Sequence, residues 1–232
     1  MNQEELQTKE RILKTSFSLF LKNGYDRTPV QAIIDAVGIA KGTFYHHFAS
    51  KEEMLVGLVE SLSRRVMDVI TPLVEAPGLD ARQKFLAVCR AGTAQKTDDM
   101  GPETVVLVRQ MRQKANRLLA DSIDEISSQW VLPCFVAIVR QGCGEGVFHV
   151  AEPDLAAELV LGAIMGTKNR VIDLFLAMAD GDPSAIGRLR ALYAAIEQAV
   201  ERILGAEAGS LPLYASVDLE LICERILPGG TR

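Results

Sequence analysis

Between Pro29 and Phe48 the chain reads PVQAIIDAVGIAKGTFYHHF, and Gly38 divides it into two short apolar-periodic segments. Val30, Ile33, Ile34 and Val37 recur at helical spacing before the glycine, while Ile39, Phe44 and Phe48 supply the apolar positions after it. The first of these helices must stop near Gly38, and the next begins only two or three residues later. So tight a turn leaves no room for an antiparallel return, and the pair has to cross steeply as a helix-turn-helix. Upstream, Ile12, Leu13, Phe17, Phe20 and Leu21 mark another helix, which Asn23-Gly24 closes with residues suited to a left-handed end. Thr28-Pro29-Val30-Gln31 reads as a capping box with proline in the first helical turn. Ser50-Lys51-Glu52-Glu53 reads as a second box, opening a fourth helix through Leu55, Leu58 and Leu62.

Phe44 and Phe48 lie four residues apart, on one face, which turns them toward the two preceding helices. Thr43, Tyr45, His46 and His47 are then left on the outer side, with Lys41 and Gly42 at the helix start. That outer set is polar and rich in donors, and free N–H groups at a helix start favour anions. An element of this kind fits the major groove of duplex DNA, its first residues reaching base edges and the rest touching phosphates. Adjacent helical residues point about 100° apart, so His46 and His47 do not readily chelate one metal. A three-helix module offers no deep cleft for a catalytic histidine. Lys41-Gly42-Thr43 lacks the upstream glycine of a phosphate loop. No catalytic residue, metal site or cofactor is implied.

Charge is distributed to match. Residues 1–65 hold nine Lys/Arg against eight Asp/Glu, while the rest of the 232-residue chain holds 16 against 22. A mildly basic end on an acidic body suits a small DNA-reading module joined to a larger non-binding domain. No apolar run reaches the eighteen or so residues that a membrane span requires. The charged start MNQEELQTKERILK is unlike a signal peptide. Cys89, Cys134, Cys143 and Cys223 are widely spaced, without paired metal spacing, and read as reduced thiols of a cytoplasmic protein.

From about Arg11 to Leu62 the chain resembles the DNA-binding domain of TetR-family transcriptional regulators. ILKTSFSLFLKNGYDRT matches the first helix and turn, PVQAIIDAVGIAKGTFYHHF the helix-turn-helix, and SKEEML the start of the fourth helix. The resemblance implies an all-α homodimer whose two recognition helices read a palindromic double-stranded operator. It implies that Lys41, Gly42 and Thr43 begin the base and phosphate contacts and that Tyr45, His46 and His47 continue them. Thr28 and Lys51, at two further helix starts, fall near phosphates in such proteins. Ala40 departs from the pattern, standing where many relatives have a serine that would cap the recognition helix. Ile34 stands where a small alanine is common, so the two helices are expected to cross slightly wider.

The expected organisation is a three-helix DNA-binding domain over residues 1–50, a connecting helix over 51–72 and a larger helical effector-binding and dimerisation domain over 73–232. In the last, TPLVEAPG is expected to be a loop and Pro133 to kink or divide a long helix from about Asn116 to Gln141. Gly142, Gly144 and Gly146 are expected to break it. Two long helices starting at Pro153 and Pro183 should pack antiparallel. The resemblance assigns that pair to the dimer interface, for which the stripes of Ala157, Leu161, Leu189, Leu192, Ile196 and Val200 are the candidates. A pocket in a helical bundle is mostly apolar with a few polar fixers. Met100, Met111, Trp130, Phe135 and Met165 are the candidate lining, with Arg109 and Asn169 as fixers. The expected function is a repressor released from its operator by an unidentified small molecule, without membrane or enzymatic involvement. The alternative is a DNA-bound interaction protein that recruits a protein partner with no small-molecule effector.

Overall fold

The computed structural model describes residues 3–97 and 102–227 and is helical throughout, with no strand among the described residues. The helices are α1 (Gln3–Asn23), α2 (Val30–Val37), α3 (Lys41–His47), α4 (Lys51–Glu75), α5 (Ala81–Thr97), α6 (Pro102–Met111), α7 (Arg117–Glu145), α8 (Pro153–Ala179), α9 (Ala185–Leu204) and α10 (Leu219–Ile226). A single 3-10 turn, Lys114–Asn116, precedes α7. The chain divides into two compact units. One comprises Met1–Arg65 with Leu107–Ser127, the other Val66–Val106 with Ser128–Arg232.

The N-terminal unit is built on Ile12, Phe20, Ile33, Phe44, Met54 and Val59, all fully buried. They come from α1, α2, α3 and α4, and Leu119 of α7 completes the same cluster. The apolar spacing read from the sequence is what brings these side chains to a common centre.

The core of the C-terminal unit gathers Phe85, Val139, Phe148, Val160, Val200 and Leu204. Phe85 meets Phe135 edge-on at 5.5 Å and Phe148 at 6.1 Å. The ion pair of Arg140 with Asp154 at 2.6 Å is exposed and adds little to stability. Helices α8 and α9 pack extensively on each other, antiparallel across a short link. Ala157, Leu161, Leu189, Ile196 and Val200 are buried in that packing, and Leu192 packs against the same core. The stripes expected to face a second copy are therefore consumed inside the chain. What α8 exposes is its other side, with Leu155 at 55% and Leu159 at 62% beside the open Gly162 and Gly166.

Two prolines fail to stop their helices. Pro72 lies inside α4, so TPLVEAPG is helical as far as Glu75, and Pro133 lies inside an undivided α7. Each proline frees the carbonyl four residues earlier, at Asp68 and at Gln129. All four residues are exposed, so water can satisfy those carbonyls. By length and composition Lys114–Glu145 also meets the requirement for crossing a membrane, contrary to the sequence expectation. Leu119 is buried in one core and Phe135, Ile138 and Val139 in the other, whereas Leu118 is exposed and only 22% of the apolar window is buried.

The glycines expected to break the helix after Gln141 act later than that. Gly142 and Gly144 stay helical, and the chain leaves α7 only at Gly146, with φ of 73°. A Cβ on Gly142 would come within 2.1 Å of the Phe148 ring, whereas one on Gly144 would meet nothing. Gly142→Ala should thus lower unfolding stability by about 1–3 kcal/mol through overpacking. Gly144→Ala should leave it unchanged or raise it by up to about 1 kcal/mol. Urea unfolding of the two variants checks the pair.

Candidate nucleic-acid interface

Gly38 ends α2 in the left-handed region, at φ 73° and ψ 42°, and its N–H donates to the Ile34 carbonyl at 3.0 Å. Ile39 N–H donates to the same carbonyl, which closes the turn before α3 starts. Arg11 of α1 donates from its guanidinium to the Val37 carbonyl at 2.8 Å, tying the end of α2 to α1. A residue with a Cβ would find open space at Gly38, so the demand there is conformational and not steric.

The third helix spans only seven residues and is held from behind. Phe44 is fully buried and Phe48 almost so, their ring centroids 6.0 Å apart. Lys41, Gly42, Tyr45 and His46 are exposed, while Thr43 and His47 are half-buried. Lys41 Nζ lies 6.0 Å from the Tyr45 ring centroid, close enough for the cation to steady the ring. Ala40 precedes the helix in extended conformation without a side-chain cap, as its missing hydroxyl requires. His46 Nε2 stands 3.8 Å from Glu5 Oε1 of α1, and the two histidine rings meet edge-on at 5.3 Å. Burial pushes the His47 pKa down from 6.5, and the adjacent His46 adds to that. Among the described residues no three His, Cys, Asp or Glu side chains gather as a metal would need.

Two of the expected contact residues are engaged within the protein. Thr28 is fully buried, and its hydroxyl donates to the Gly24 carbonyl at 2.8 Å instead of capping α2. The residue preceding α2 is Pro29, with no side-chain cap, and Gln31 donates to Asp35 within the helix. Thr28 therefore presents no side chain to a phosphate. Lys51 is half-buried, its ammonium donating to the Tyr25 carbonyl and lying 4.0 Å from that residue's ring centroid. Burial pushes its pKa down from 10.5. At the second expected box Ser50 caps α4, while the Glu53 side chain reaches one residue further back. Glu53 N–H donates to Ser50 Oγ at 3.1 Å, and the Glu53 carboxylate accepts in return from Ala49 N–H.

One polar junction of this unit has no counterpart in the sequence expectations. Tyr25 N–H is shared between the Ala115 carbonyl at 2.9 Å and Asn116 Oδ1 at 3.0 Å. Asn116 is fully buried, and its Nδ2 donates to the Gln110 carbonyl at 2.9 Å. A lone asparagine before a helix carries no periodic signal, so nothing in the sequence pairs it with Tyr25.

The expected effector residues do not assemble within one unit. Arg109 is exposed, and Met111 packs against the core built by α1 to α4. Phe135 and Met165 belong to the other core, Trp130 is half-buried and Asn169 exposed. Met100 lies outside the described residues. In the C-terminal unit a half-open cleft of about 410 Å³ is lined instead by Glu197, Gln198, Glu201, Arg202 and Leu211, among others. Cys89 is half-buried against the apolar core, and desolvation there pushes its thiol up to about 12 and keeps it protonated.

Residues 12–58 match the family described as "Bacterial regulatory proteins, tetR family". The chain is 30% identical over 164 residues to the HTH-type transcriptional repressor KstR2 of Mycobacterium tuberculosis, covering 67% of this chain and 75% of KstR2. It is 52% identical over 52 residues to the HTH-type transcriptional regulator YerO of Bacillus subtilis, a match spanning 22% of this chain and 18% of YerO. In fold it resembles a TetR-family regulator from Pectobacterium atrosepticum, with TM-score 0.61, 20% identity, and coverage of 88% and 97% of the two chains.

Two substitutions probe the local geometry. Gly38→Ala should cost about 1–2 kcal/mol, the penalty of a Cβ in the left-handed region. Ala40→Ser should add about 0.5–1 kcal/mol by capping α3. Thermal unfolding read by circular dichroism distinguishes the opposite signs.

Proposed function

The chain belongs to the TetR family of DNA-binding transcriptional regulators, and on that premise we propose that it is a homodimeric repressor released from a palindromic operator by a small molecule. The observation that carries the DNA assignment is α3, anchored by Phe44 and Phe48 while Lys41, Gly42, Tyr45 and His46 face outward. Gly42 meets no neighbour that would forbid a side chain, so its small size serves nothing in the protein's own packing. It leaves room for a partner's backbone. Lys41 supplies charge to phosphates, Thr43 and Tyr45 reach the groove, and His46 and His47 lie along the strand. Lys51 offers its remaining ammonium hydrogens at the start of α4. Similarity to a transcriptional repressor over 75% of its length supports the direction of control.

Two such helices in a dimer enter successive major grooves, about 34–36 Å apart. The exposed Leu155, Leu159, Gly162 and Gly166 of α8 are the surface offered to the second copy. The unit of residues 1–65 with 107–127 carries DNA, and the unit of 66–106 with 128–232 binds the effector and dimerises. An effector that binds better to a dimer of different helix spacing shifts the population off DNA; equal affinity for both forms does nothing. The protein acts in the cytoplasm by binding and not by catalysis.

Genomic DNA recovered on the purified protein should yield a palindromic site, and titration of that duplex at several salt concentrations gives the contacts. Lys41→Ala should weaken binding to all sequences and flatten the salt slope by about one unit, while Thr43→Ala should change the preference among site variants. Parent-like binding by both would remove α3 as the reading surface. A stable protein partner with no small-molecule effect would replace the effector mechanism by recruitment.

A further inference from the structure

The geometry points to Asn116 as a positioning residue for DNA binding, acting through the Tyr25 backbone on Lys51 and on the start of α2. This rests on the DNA reading above but concerns residues that never touch the duplex. The Tyr25 amide is held from one side by Asn116 Oδ1 and the Ala115 carbonyl, at 3.0 and 2.9 Å. Its carbonyl faces the other way and accepts from two donors. One is Thr28 N–H at 3.1 Å, immediately before α2, and the other is the Lys51 ammonium in the first turn of α4. One residue is thus gripped on its N–H by the turn before α7 and in turn fixes two DNA-proximal helix starts.

The grip is close and complete. Gly24 adopts φ of 90°, and a Cβ there would fall 2.5 Å from the Ala115 Cβ, so the two segments touch with no space for a side chain. The Asn116 amide is fully buried, with its acceptor used by Tyr25 and its donor by the Gln110 carbonyl. Losing the side chain takes from Tyr25 N–H one of its two acceptors, leaving the Ala115 carbonyl, and from the Gln110 carbonyl one of its two donors, leaving Gln113 N–H, so the junction is held more weakly where the buried amide had joined it. Lys51 has a long flexible stem, and its direction depends on the Tyr25 carbonyl and on the ring beneath it. With Asn116 gone, Tyr25 N–H is held by the Ala115 carbonyl alone, and Lys51 loses part of the aim that places its charge at a phosphate.

The test uses the full-length dimer and the duplex recovered with the parent protein. Asn116→Leu should weaken binding at least tenfold at a temperature where circular dichroism shows it folded, with the salt slope lowered by about one unit. Lys51→Ala should lower the parent's slope by the same amount and should lower it no further in the Asn116→Leu background. Asn116→Ser, which adds no volume at this fully buried position, carries the same readouts if Asn116→Leu does not fold. A purely structural asparagine would lower the melting temperature and leave affinity, slope and additivity as in the parent, and that result overturns the inference. A parent protein with no preferred duplex would overturn the DNA reading itself, and it would show before any variant is made.

Discussion

An isolated helix of seven residues is unstable in water, because nucleation costs more than so few hydrogen bonds return. The α3 helix exists because Phe44 and Phe48 sink into a core already framed by α1 and α2. Everything proposed for the outer surface depends on that burial. Rings held behind the helix fix its rotation, and the rotation decides which polar side chains meet solvent. Gly38 sets the crossing, Arg11 holds the end of α2, and the Ser50 cap starts α4 directly afterwards. The module has little freedom left in it, as a rigid reading head requires.

What was legible in the sequence was local. Apolar spacing gave the helices, Gly38 the corner, and the Phe44–Phe48 interval the buried face, because each depends on residues within one or two turns. The misses are cases where a distant partner decided. Thr28 has the chemistry of a cap, but burial turned its hydroxyl to the Gly24 carbonyl. Pro72 and Pro133 are helix breakers by rule, yet they sit on exposed turns where water can reach the carbonyls they free. Gly142 stays helical, and its lack of a side chain is needed for the Phe148 ring packed against it, not for a break.

The C-terminal half was least legible for a related reason. A helix with apolar residues on more than one side does not say which side faces its own chain and which a second copy. Ala157, Leu161, Leu189, Ile196 and Val200 form regular stripes, and α8 and α9 use them against each other and their own core. Leu155 and Leu159 stand among Glu158 and other polar neighbours, where periodicity marks them as unremarkable surface. Their exposure is informative only once the inner face has been filled. Pocket residues pose the same difficulty more sharply, since apolar lining and apolar core share one composition.

The compact N-terminal unit is not one stretch of sequence, because Leu107–Ser127 belongs to it. Leu119 fills its core, and Ala115 lies against Gly24 with no spare volume. Recombination between relatives that cuts after the fourth helix therefore carries away an incomplete part. A borrowed head keeps its packing only if the sequence joined to it supplies a small residue opposite Gly24 and an amide for Tyr25.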